Sequence, residues 1–199
     1  GLARAGAYAY VADGYAGVAV VDIADPAQPS VVRHLPTVHP VEDVYVCGDR
    51  LFIATQLDGL AIASIEDPSR PSSPIYAGPS TSTFHVTVRE NHAYLTMAGY
   101  DAALVEVAPG ETPILLENFL VGYGQGNIVT AGPIVYTSVY DHGFGAADVA
   151  INSIFAPGDP APPTYVSTGG NCMGVSVARR YLYALNSSGS LVVIDLIGD

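Results

Sequence analysis

Three histidines and several carboxylates recur in the segments that join short apolar runs of this chain. His39, His85 and His142 lie in such segments, and Asp43 and Asp141 lie close to them in the sequence. Imidazole and carboxylate groups bind divalent transition metals, and they also form acid–base pairs. The groups come from separate segments without a local spacing motif, and polar residues at the rim of a fold are the usual explanation of such a pattern. The metal candidates are His39, His85 and His142, and the acid–base candidates are His85 and Asp43.

The elements that must position these residues follow an internal repeat. An aromatic residue ends an apolar run at five places, with spacings of 42, 42, 42 and 47 residues: Tyr10, Phe52, Tyr94, Tyr136 and Tyr183. A second set of residues, polar in every case, keeps almost the same period: Asp22, Ser64, Glu106, Ser153 and Asp195. Markers that recur in phase indicate one supersecondary unit used about five times, and a period in the forties is typical of propeller blades.

Each unit contains three or four short runs rich in Val, Ile, Ala and Tyr, separated by turns with Gly, Asp or Asn, which predicts strands. The third run of each unit, as in Gly17–Ile23, is apolar at nearly every position, so both of its faces should be covered. We therefore predict an all-β fold, a five-bladed β-propeller with a three-stranded last blade. The blades lie near 1–42, 43–84, 85–126, 127–173 and 174–199. An open solenoid of the same units is the competing architecture.

A more specific resemblance rests on the third strands and the turns after them. Gly17–Asp22 has the sequence GVAVVD and is followed by Asp25-Pro26-Ala27-Gln28-Pro29, and Leu191–Asp195 has the sequence LVVID. These segments resemble the LVIVD repeat of bacterial and archaeal surface and secreted proteins. The resemblance implies a β-propeller and export, so the expected location is extracellular, periplasmic or on the cell surface. It implies no activity, because the signature is structural. Asp22 and Asp195 should accept backbone N–H groups of their turns.

The phase of the repeat places one set of loops at the mouth of the predicted channel. The position before the first strand of each unit is polar wherever it is not glycine: Gly1, Asp43, His85, Asn127 and Gly174. His39 and the segment 139–147, which holds the single insertion of the repeat together with Asp141 and His142, fall at the same end. Loops on a rigid scaffold commonly carry function. The predicted ligand-binding residues are therefore His39, Asp43, His85, Asn127, Asp141 and His142.

Two functions remain open from the sequence. The first is a non-catalytic binding or scaffold module of an exported protein, with a protein or small-molecule ligand at this funnel and no cofactor. The alternative is an enzyme of the hydrolase or lyase type, in which His85 acts as acid or base and Asp43 orients it. That alternative could include a divalent metal held by His39, His85 and His142. No nucleophile motif such as Gly-x-Ser-x-Gly is present in the sequence.

Composition excludes some classes of partner. The formal net charge is −12 and the chain has no lysine, so binding to nucleic acid is not expected. No apolar stretch is long enough for a membrane-spanning helix. Cys47 and Cys172 fall in non-neighbouring units, so free thiols are expected.

The last unit lacks a fourth run. Its third strand should therefore present an apolar edge over residues 191–196. An unpaired edge recruits other strands. We expect a partner chain, a second copy, or residues beyond Asp199 to cover it.

Overall fold

The computed structural model of the chain describes residues 1–99, 101–120, 126–139, 148–153 and 164–196. Within these ranges every regular element is a β-strand. No helix that is long and apolar enough to cross a membrane occurs in this part of the chain. The all-β prediction is therefore confirmed, since the short Val-, Ile- and Tyr-rich runs form the strands that their side chains favour.

The strands form five antiparallel sheets, numbered 1 to 5 along the chain, in which strands that follow one another in sequence are paired. Sheet 1 comprises β1 (Leu2–Ala5), β2 (Tyr8–Ala12), β3 (Val18–Asp22) and β4 (Ser30–Leu35). Sheet 2 comprises β5 (Val41–Cys47), β6 (Arg50–Thr55), β7 (Gly59–Ser64) and β8 (Ile75–Tyr76). Sheet 3 comprises β9 (Thr83–Arg89), β10 (His92–Met97), β11 (Asp101–Glu106) and β12 (Ile114–Leu120). Sheet 4 comprises β13 (Ile128–Ala131), β14 (Ile134–Ser138), β15 (Asp148–Ser153) and β16 (Thr164–Ser167). Sheet 5 comprises β17 (Cys172–Ala178), β18 (Tyr181–Asn186) and β19 (Leu191–Asp195).

The five sheets match the predicted number of blades, and sheet 5 has the three strands that were predicted for it. The chain divides into two compact units. Unit 1 comprises Gly1–Leu95 and Val105–Leu115, and unit 2 comprises Thr96–Leu104 and Leu116–Asp199. Sheet 3 contributes strands to both units. The closure of the sheets into a ring stays a prediction.

In unit 1 the side chains of sheets 1 and 2 form one hydrophobic core. Successive side chains of a strand point to opposite sides, so each sheet has two distinct faces. Tyr10, Val18 and Val20 on one face of sheet 1 belong to the same core as Leu51 and Ile53 of sheet 2, and all five are 0% exposed. We call the face that carries the repeated aromatic residue the aromatic face, and the opposite one the aliphatic face. Burial stabilises each such side chain by about 1.5–3 kcal/mol.

Unit 2 repeats this arrangement with other residues. Tyr136 and Val149 on the aromatic face of sheet 4 share a core with Val175, Leu182 and Ala184 on the aliphatic face of sheet 5. The repeated aromatic residues were predicted to be core residues, and this is confirmed for four of them, which are buried: Tyr10, Phe52, Tyr94 and Tyr136. Tyr183, the fifth, is only half-buried.

Polar contacts add to the apolar contact between neighbouring sheets of unit 1. The Tyr10 hydroxyl donates to the carbonyl of Pro68, in the turn after β7, at 2.8 Å. Sheet 2 carries Phe52 at the equivalent place, which has no hydroxyl. There the Arg50 guanidinium, 5.1 Å from the centre of the Phe52 ring, donates to the carbonyl of Val107 after β11. A donor thus reaches the next sheet in both cases, although the donating side chain differs.

The turns after the third strands use the predicted carboxylate chemistry. Asp22 accepts a hydrogen bond from the N–H of Ala24 at 2.8 Å, as predicted. In sheet 2 the Ser64 hydroxyl, at the position of Asp22, accepts from the N–H of Glu66 at 3.3 Å. Asp67 accepts from the N–H of Ser69 at 3.0 Å, as Asp25 accepts from the N–H of Ala27 in sheet 1. These bonds satisfy backbone groups just where the strand ladder stops, so they fix the strand ends.

The first strands of sheets 2, 3 and 5 begin three residues earlier than the sequence predicted. A register shift between Val41 and Asp43 in β5, and another between Cys172 and Gly174 in β17, marks a β-bulge. A bulge adds one residue to a strand, so the alternation of side chains that would reveal the strand start is interrupted. As a result Asp43 and His85 lie inside β5 and β9 and not in the loops before them. The two cysteines are free thiols, as expected.

Tyr10 gives a pH-dependent test of the contact between sheets 1 and 2. Burial, together with the nearby Asp67 carboxylate and Tyr8, raises the pKa of Tyr10 from 10.0 to about 12. The folded protein therefore keeps the phenolic proton at pH values where the unfolded chain loses it. The stability from this neutral phenol is present below a pH of about 10 and is lost as the pH rises toward about 12.

We expect the midpoint of urea unfolding to fall over this pH range in the wild type and to fall less in Tyr10→Phe, which has no such proton. At pH 7 the variant should lose about 1 kcal/mol of unfolding free energy with the bond to Pro68. Equally steep losses in both proteins at high pH would contradict this role for Tyr10.

Candidate functional site

One end of the sheets in unit 1 gathers most of the predicted polar residues. At this end β2 and β6 stop, β3 and β7 begin, and residues 36–40 connect sheet 1 to sheet 2. Antiparallel neighbours alternate in direction, so these positions share one edge of the sheets. We call this edge the polar end. Its side chains are Asp13, His34, His39, Glu42, Asp43, Gln56, Asp58 and His85.

His39 is held by Asp58, a carboxylate that was not among the predicted ligand-binding residues. Its Nδ1 lies 2.5 Å from Oδ2 of Asp58, and the two side chains are 34% and 28% exposed. With the proton on Nδ1 shared with Asp58, the other ring nitrogen, Nε2, is an acceptor for a ligand. The pair is therefore half-buried and oriented before any ligand binds.

The backbone around His39 is fixed to both neighbouring turns. The carbonyl of Gly14 accepts from the N–H of Val41 at 3.0 Å, and the carbonyl of Pro40 accepts from the N–H of Gln56 at 2.9 Å. The segment that connects the two sheets is thus hydrogen-bonded through its backbone to a turn of sheet 1 and to a turn of sheet 2. These bonds fix the position of His39.

Asp43 ties sheet 2 to sheet 3. Its Oδ1 accepts from the N–H of Val44 at 2.9 Å, and its Oδ2 accepts from the N–H of Val86 in β9 at 3.2 Å. The same Oδ2 lies 3.5 Å from Nδ1 of His85. Asp43 is 14% exposed and His85 is 31% exposed. The structure therefore brings the predicted acid–base pair together, but the carboxylate also has a structural task.

Asn127 makes the same kind of link within unit 2. Its Oδ1 accepts from the N–H of Val175 in β17 at 3.2 Å. Val86 and Val175 occupy equivalent positions in the repeat, one residue after His85 and Gly174. Asp43 and Asn127 are thus polar because the first strand of a following sheet presents an unpaired N–H group to them. Gly126 precedes Asn127, and a Cβ there would lie 1.6 Å from the carbonyl oxygen of Ser138.

Two further contacts of the polar end were not foreseen. Gln56 donates through Nε2 to Oε1 of Glu42. Nε2 of His34, in the outer strand β4, lies 3.1 Å from Oδ2 of Asp13. One feature of the sequence points to such contacts, namely an Asp-Gly dipeptide in two equivalent loops, Asp13-Gly14 and Asp58-Gly59. In the structure each of these aspartates pairs with a histidine of a neighbouring segment.

The remaining predicted residues are placed as follows. Asp141 and His142 lie outside the described residues. His39, Asp43 and His85 belong to unit 1, whereas Asn127 belongs to unit 2. Within the described ranges no group of three or more His, Cys, Asp or Glu side chains is arranged to hold a metal ion. The histidines of the polar end are instead held in pairs, each imidazole with one carboxylate.

The charges of unit 1 are distributed unevenly between its two ends. Its polar end carries four carboxylates, and its arginines lie at the opposite strand ends or, for Arg33, within β4: Arg4, Arg33, Arg50, Arg70 and Arg89. The histidines are thus the basic side chains among the described residues of this end, where the Gly1 ammonium also lies 3.9 Å from Oδ1 of Asp43. An end lined by one sign of charge attracts ligands of the opposite sign. The polar end can therefore accept hydrogen bonds from, and attract, positively charged groups.

A pair of substitutions separates the structural task of Asp43 from its charge. Asp43→Ala removes the acceptor of the Val86 N–H and should lower the free energy of unfolding by about 1–2 kcal/mol. Asp43→Asn keeps an acceptor oxygen, as Asn127 does in unit 2, and should lose less than half as much. Chemical denaturation at pH 7 measures both. Equal losses in the two variants would contradict the assigned hydrogen bond.

Comparison with known proteins supports the fold and leaves the activity open. No curated protein matches the chain. Several solved structures are similar in fold at low sequence identity. The computationally designed Ika8 protein superposes with a TM-score of 0.70 at 9% identity, over 98% of this chain and 57% of that one. A functionally unknown protein from Desulfotomaculum acetoxidans DSM 771 has a TM-score of 0.71 at 13% identity, over 95% and 66%.

A chain in the structure of the mitotic checkpoint complex has a TM-score of 0.74 at 11% identity, over 97% of this chain and 60% of that chain. The present chain thus spans less than two thirds of each of these three chains.

The family of this chain is shown by the match of its repeat. The LVIVD repeat matches residues 2–37, 40–79 and 169–196, which together make up more than half of the chain. These stretches contain sheets 1, 2 and 5 in full, and thus the GVAVVD and LVVID strands on which the resemblance rested. The chain belongs to the LVIVD repeat family.

Proposed function

We propose that this chain is a non-catalytic binding module of an exported protein, with its sheets arranged as five blades of a propeller and its ligand bound at the polar end. The residues proposed at this end are His39, Asp43 and His85 of unit 1, whereas the predicted Asn127 belongs to unit 2 and Asp141 and His142 lie outside the described residues. The observation that carries the proposal is the set of imidazole–carboxylate pairs that are oriented by the scaffold at one end of the sheets.

The charge of this end favours a ligand with basic groups. Four carboxylates lie there without an arginine at the strand ends of unit 1, whereas the opposite end mixes both signs. A basic side chain or an amine would add positive charge beside these carboxylates. Asp58 and Glu42 already hold His39 and Gln56, so a ligand would meet side chains whose conformations are fixed. Fixed partners lower the entropic cost of binding.

The kind of ligand follows from the same geometry. The exposed fraction of His39 and His85 is about one third, so part of each ring is open to a ligand. A lysine- or arginine-bearing segment of a protein, or a small amine, can donate hydrogen bonds to carboxylates and to neutral imidazole nitrogens. We therefore propose a basic protein segment as the first ligand class to be tested, with small amines as the second.

Binding of short labelled peptides tests this proposal. Peptides of positive, zero and negative net charge are titrated with the protein at low and high salt, and fluorescence anisotropy reports binding. We expect the positive peptides alone to bind, and added salt to weaken their binding. Asp58→Asn should weaken it by about threefold to tenfold, as expected for the loss of roughly 0.7–1.4 kcal/mol of charge interaction.

Asp49→Asn is the matched control, because it removes one exposed carboxylate at the opposite end of the same sheet. It should leave the affinity unchanged. Equal binding of peptides of either charge, or an equal effect of the two substitutions, would contradict a ligand site at the polar end.

An enzyme of the hydrolase or lyase type is the second candidate, and one observation favours it. Nδ1 of His85 faces Oδ2 of Asp43 at 3.5 Å while the imidazole stays 31% exposed, so the carboxylate can orient a ring that reaches solvent. A general base needs such an orienting partner and access to substrate. A screen of hydrolase and lyase substrates, paired with elemental analysis of the purified protein, tests this candidate. Turnover that is lost in His85→Ala and retained in His92→Ala would establish it in place of the binding module.

A further inference from the structure

Three exposed apolar side chains lie among the histidines and carboxylates of the polar end. Tyr15 is 93% exposed, Val38 is 71% exposed and Leu57 is 58% exposed. Tyr15 and Leu57 are separated by one period of the repeat, and each lies in the loop between the second and third strands of its sheet. Val38 lies in the segment that connects sheet 1 to sheet 2. We call these three residues the apolar tips.

The backbone that carries Tyr15 and Val38 is hydrogen-bonded on both sides of each residue or at the residue itself. The N–H of Val38 donates to the hydroxyl of Tyr76 in β8 at 3.0 Å. In the loop of Tyr15 the N–H of Ala16 donates to the carbonyl of Asp13 at 3.0 Å, and the N–H of Asp13 donates to the carbonyl of Gly17 at 2.9 Å. The scaffold thus holds these exposed side chains in defined positions.

Leu57 adopts a backbone conformation that is unfavourable for its type. Its φ is 71°, and the N–H of Asp58 donates to the carbonyl of Gln56 at 3.0 Å, which makes Leu57 the central residue of a γ-turn. A bulky side chain rarely adopts a positive φ, and such strain persists mostly at functional positions. The equivalent loop of sheet 1 has glycine at its positive φ angles, in Gly14 and Gly17. The leucine therefore points to a task for its side chain in a contact with another molecule.

Two of the apolar tips lie beside the His39–Asp58 pair. Val38 directly precedes His39, and Leu57 directly precedes Asp58. Because Nδ1 of the imidazole lies 2.5 Å from Oδ2 of the carboxylate, the pair brings the two apolar residues to the same part of the polar end.

Tyr15 lies beside the second pair. Asp13, two residues before it, has its Oδ2 at 3.1 Å from Nε2 of His34. The carbonyl of Gly14 accepts from the N–H of Val41 at 3.0 Å, so the loop of Tyr15 lies against the segment that connects the sheets. Exposed apolar side chains that are bordered by polar groups mark interaction sites for proteins.

The apolar tips all belong to unit 1. They lie in loops at the ends of strands, whereas the blades of a propeller pack on one another through the faces of their sheets. In the propeller proposed above, these loops therefore stay outside the contacts between blades and can receive a partner.

We propose that the apolar tips and the carboxylates beside them bind a protein segment that carries arginine or lysine next to large apolar side chains. This inference rests on the proposed function and narrows its ligand to a basic and apolar segment of a protein. The cations of such a segment are attracted by carboxylates such as Asp58, and its apolar side chains cover Tyr15 and Leu57. A small amine would meet the carboxylates but would leave the apolar tips in contact with water.

Three labelled peptides of equal length test the inference on the intact chain, and fluorescence anisotropy measures their binding. They are repeats of Arg-Leu-Gly, of Arg-Ser-Gly and of Glu-Leu-Gly. The first two carry the same charge and differ in their apolar content. We expect the Arg-Leu-Gly peptide to bind at least about tenfold more tightly than the Arg-Ser-Gly peptide, and the Glu-Leu-Gly peptide not to bind.

Two substitutions remove an apolar tip and leave every carboxylate in place. They are Tyr15→Ser and Leu57→Gly, and glycine suits the positive φ of residue 57. Each should weaken the binding of the Arg-Leu-Gly peptide by about fivefold and leave that of the Arg-Ser-Gly peptide unchanged. Circular dichroism confirms that the variants are folded.

Ile114→Ser is the matched control. Ile114 is 53% exposed and begins β12 at the end of sheet 3 that lies away from the polar end. Serine stands at the equivalent place of sheet 1, as Ser30. This variant should bind both basic peptides as the wild type does.

The possible failures separate this inference from the proposed function. Equal binding of the two basic peptides would overturn the inference alone, because charge would then account for the binding. If neither basic peptide binds, both proposals are wrong. Unchanged affinity in folded Tyr15→Ser and Leu57→Gly, or an equal loss in Ile114→Ser, would also contradict a role for the apolar tips.

Discussion

The burial of the aromatic face of one sheet against the aliphatic face of the next is the interaction on which the rest of this structure depends. It places Tyr10, Val18 and Val20 in one core with Leu51 and Ile53, and it recurs around Tyr136 in unit 2. A strand has a side-chain period of two, so a slip of one residue would exchange the two faces. The register of the strands must therefore be kept through every turn. Carboxylates such as Asp22 and Asp67 keep it by accepting hydrogen bonds from backbone N–H groups of the turns.

The same stacking builds the polar end. When one sheet packs on the next, the first strand of the following sheet presents an unpaired N–H group, and Asp43 or Asn127 accepts its hydrogen bond. Two of the candidate ligand-binding residues are therefore structural as well. His39 and His85 are the side chains that remain available, because each uses one ring nitrogen on a carboxylate and keeps a partly exposed ring. A ligand at this end would meet groups that the scaffold has already positioned.

The sequence predicted the fold best where the same structural unit recurs along the chain. Five sheets, a three-stranded last sheet and the buried aromatics all follow from the period and from the apolar third strands. The starts of β5 and β17 could not be predicted, because a bulge breaks the alternation of side chains. The His39–Asp58 and His34–Asp13 pairs could not be predicted either, since each joins segments whose closeness depends on how the connection between sheets is folded. Asp43 and His85 were identified by phase alone, and the structure adds that Asp43 bonds to the backbone of the next sheet.

Amide hydrogen exchange at Val86 and Val175, measured residue by residue by NMR, tests the contact between successive sheets most directly. Both N–H groups donate to a side chain of the preceding sheet, at 3.2 Å in each case. The account predicts that both amides exchange far more slowly than that of Gly48 in an exposed turn, and that Asp43→Ala accelerates exchange at Val86 without changing it at Val175. Exchange at Val86 and Val175 as fast as at Gly48 would contradict the account.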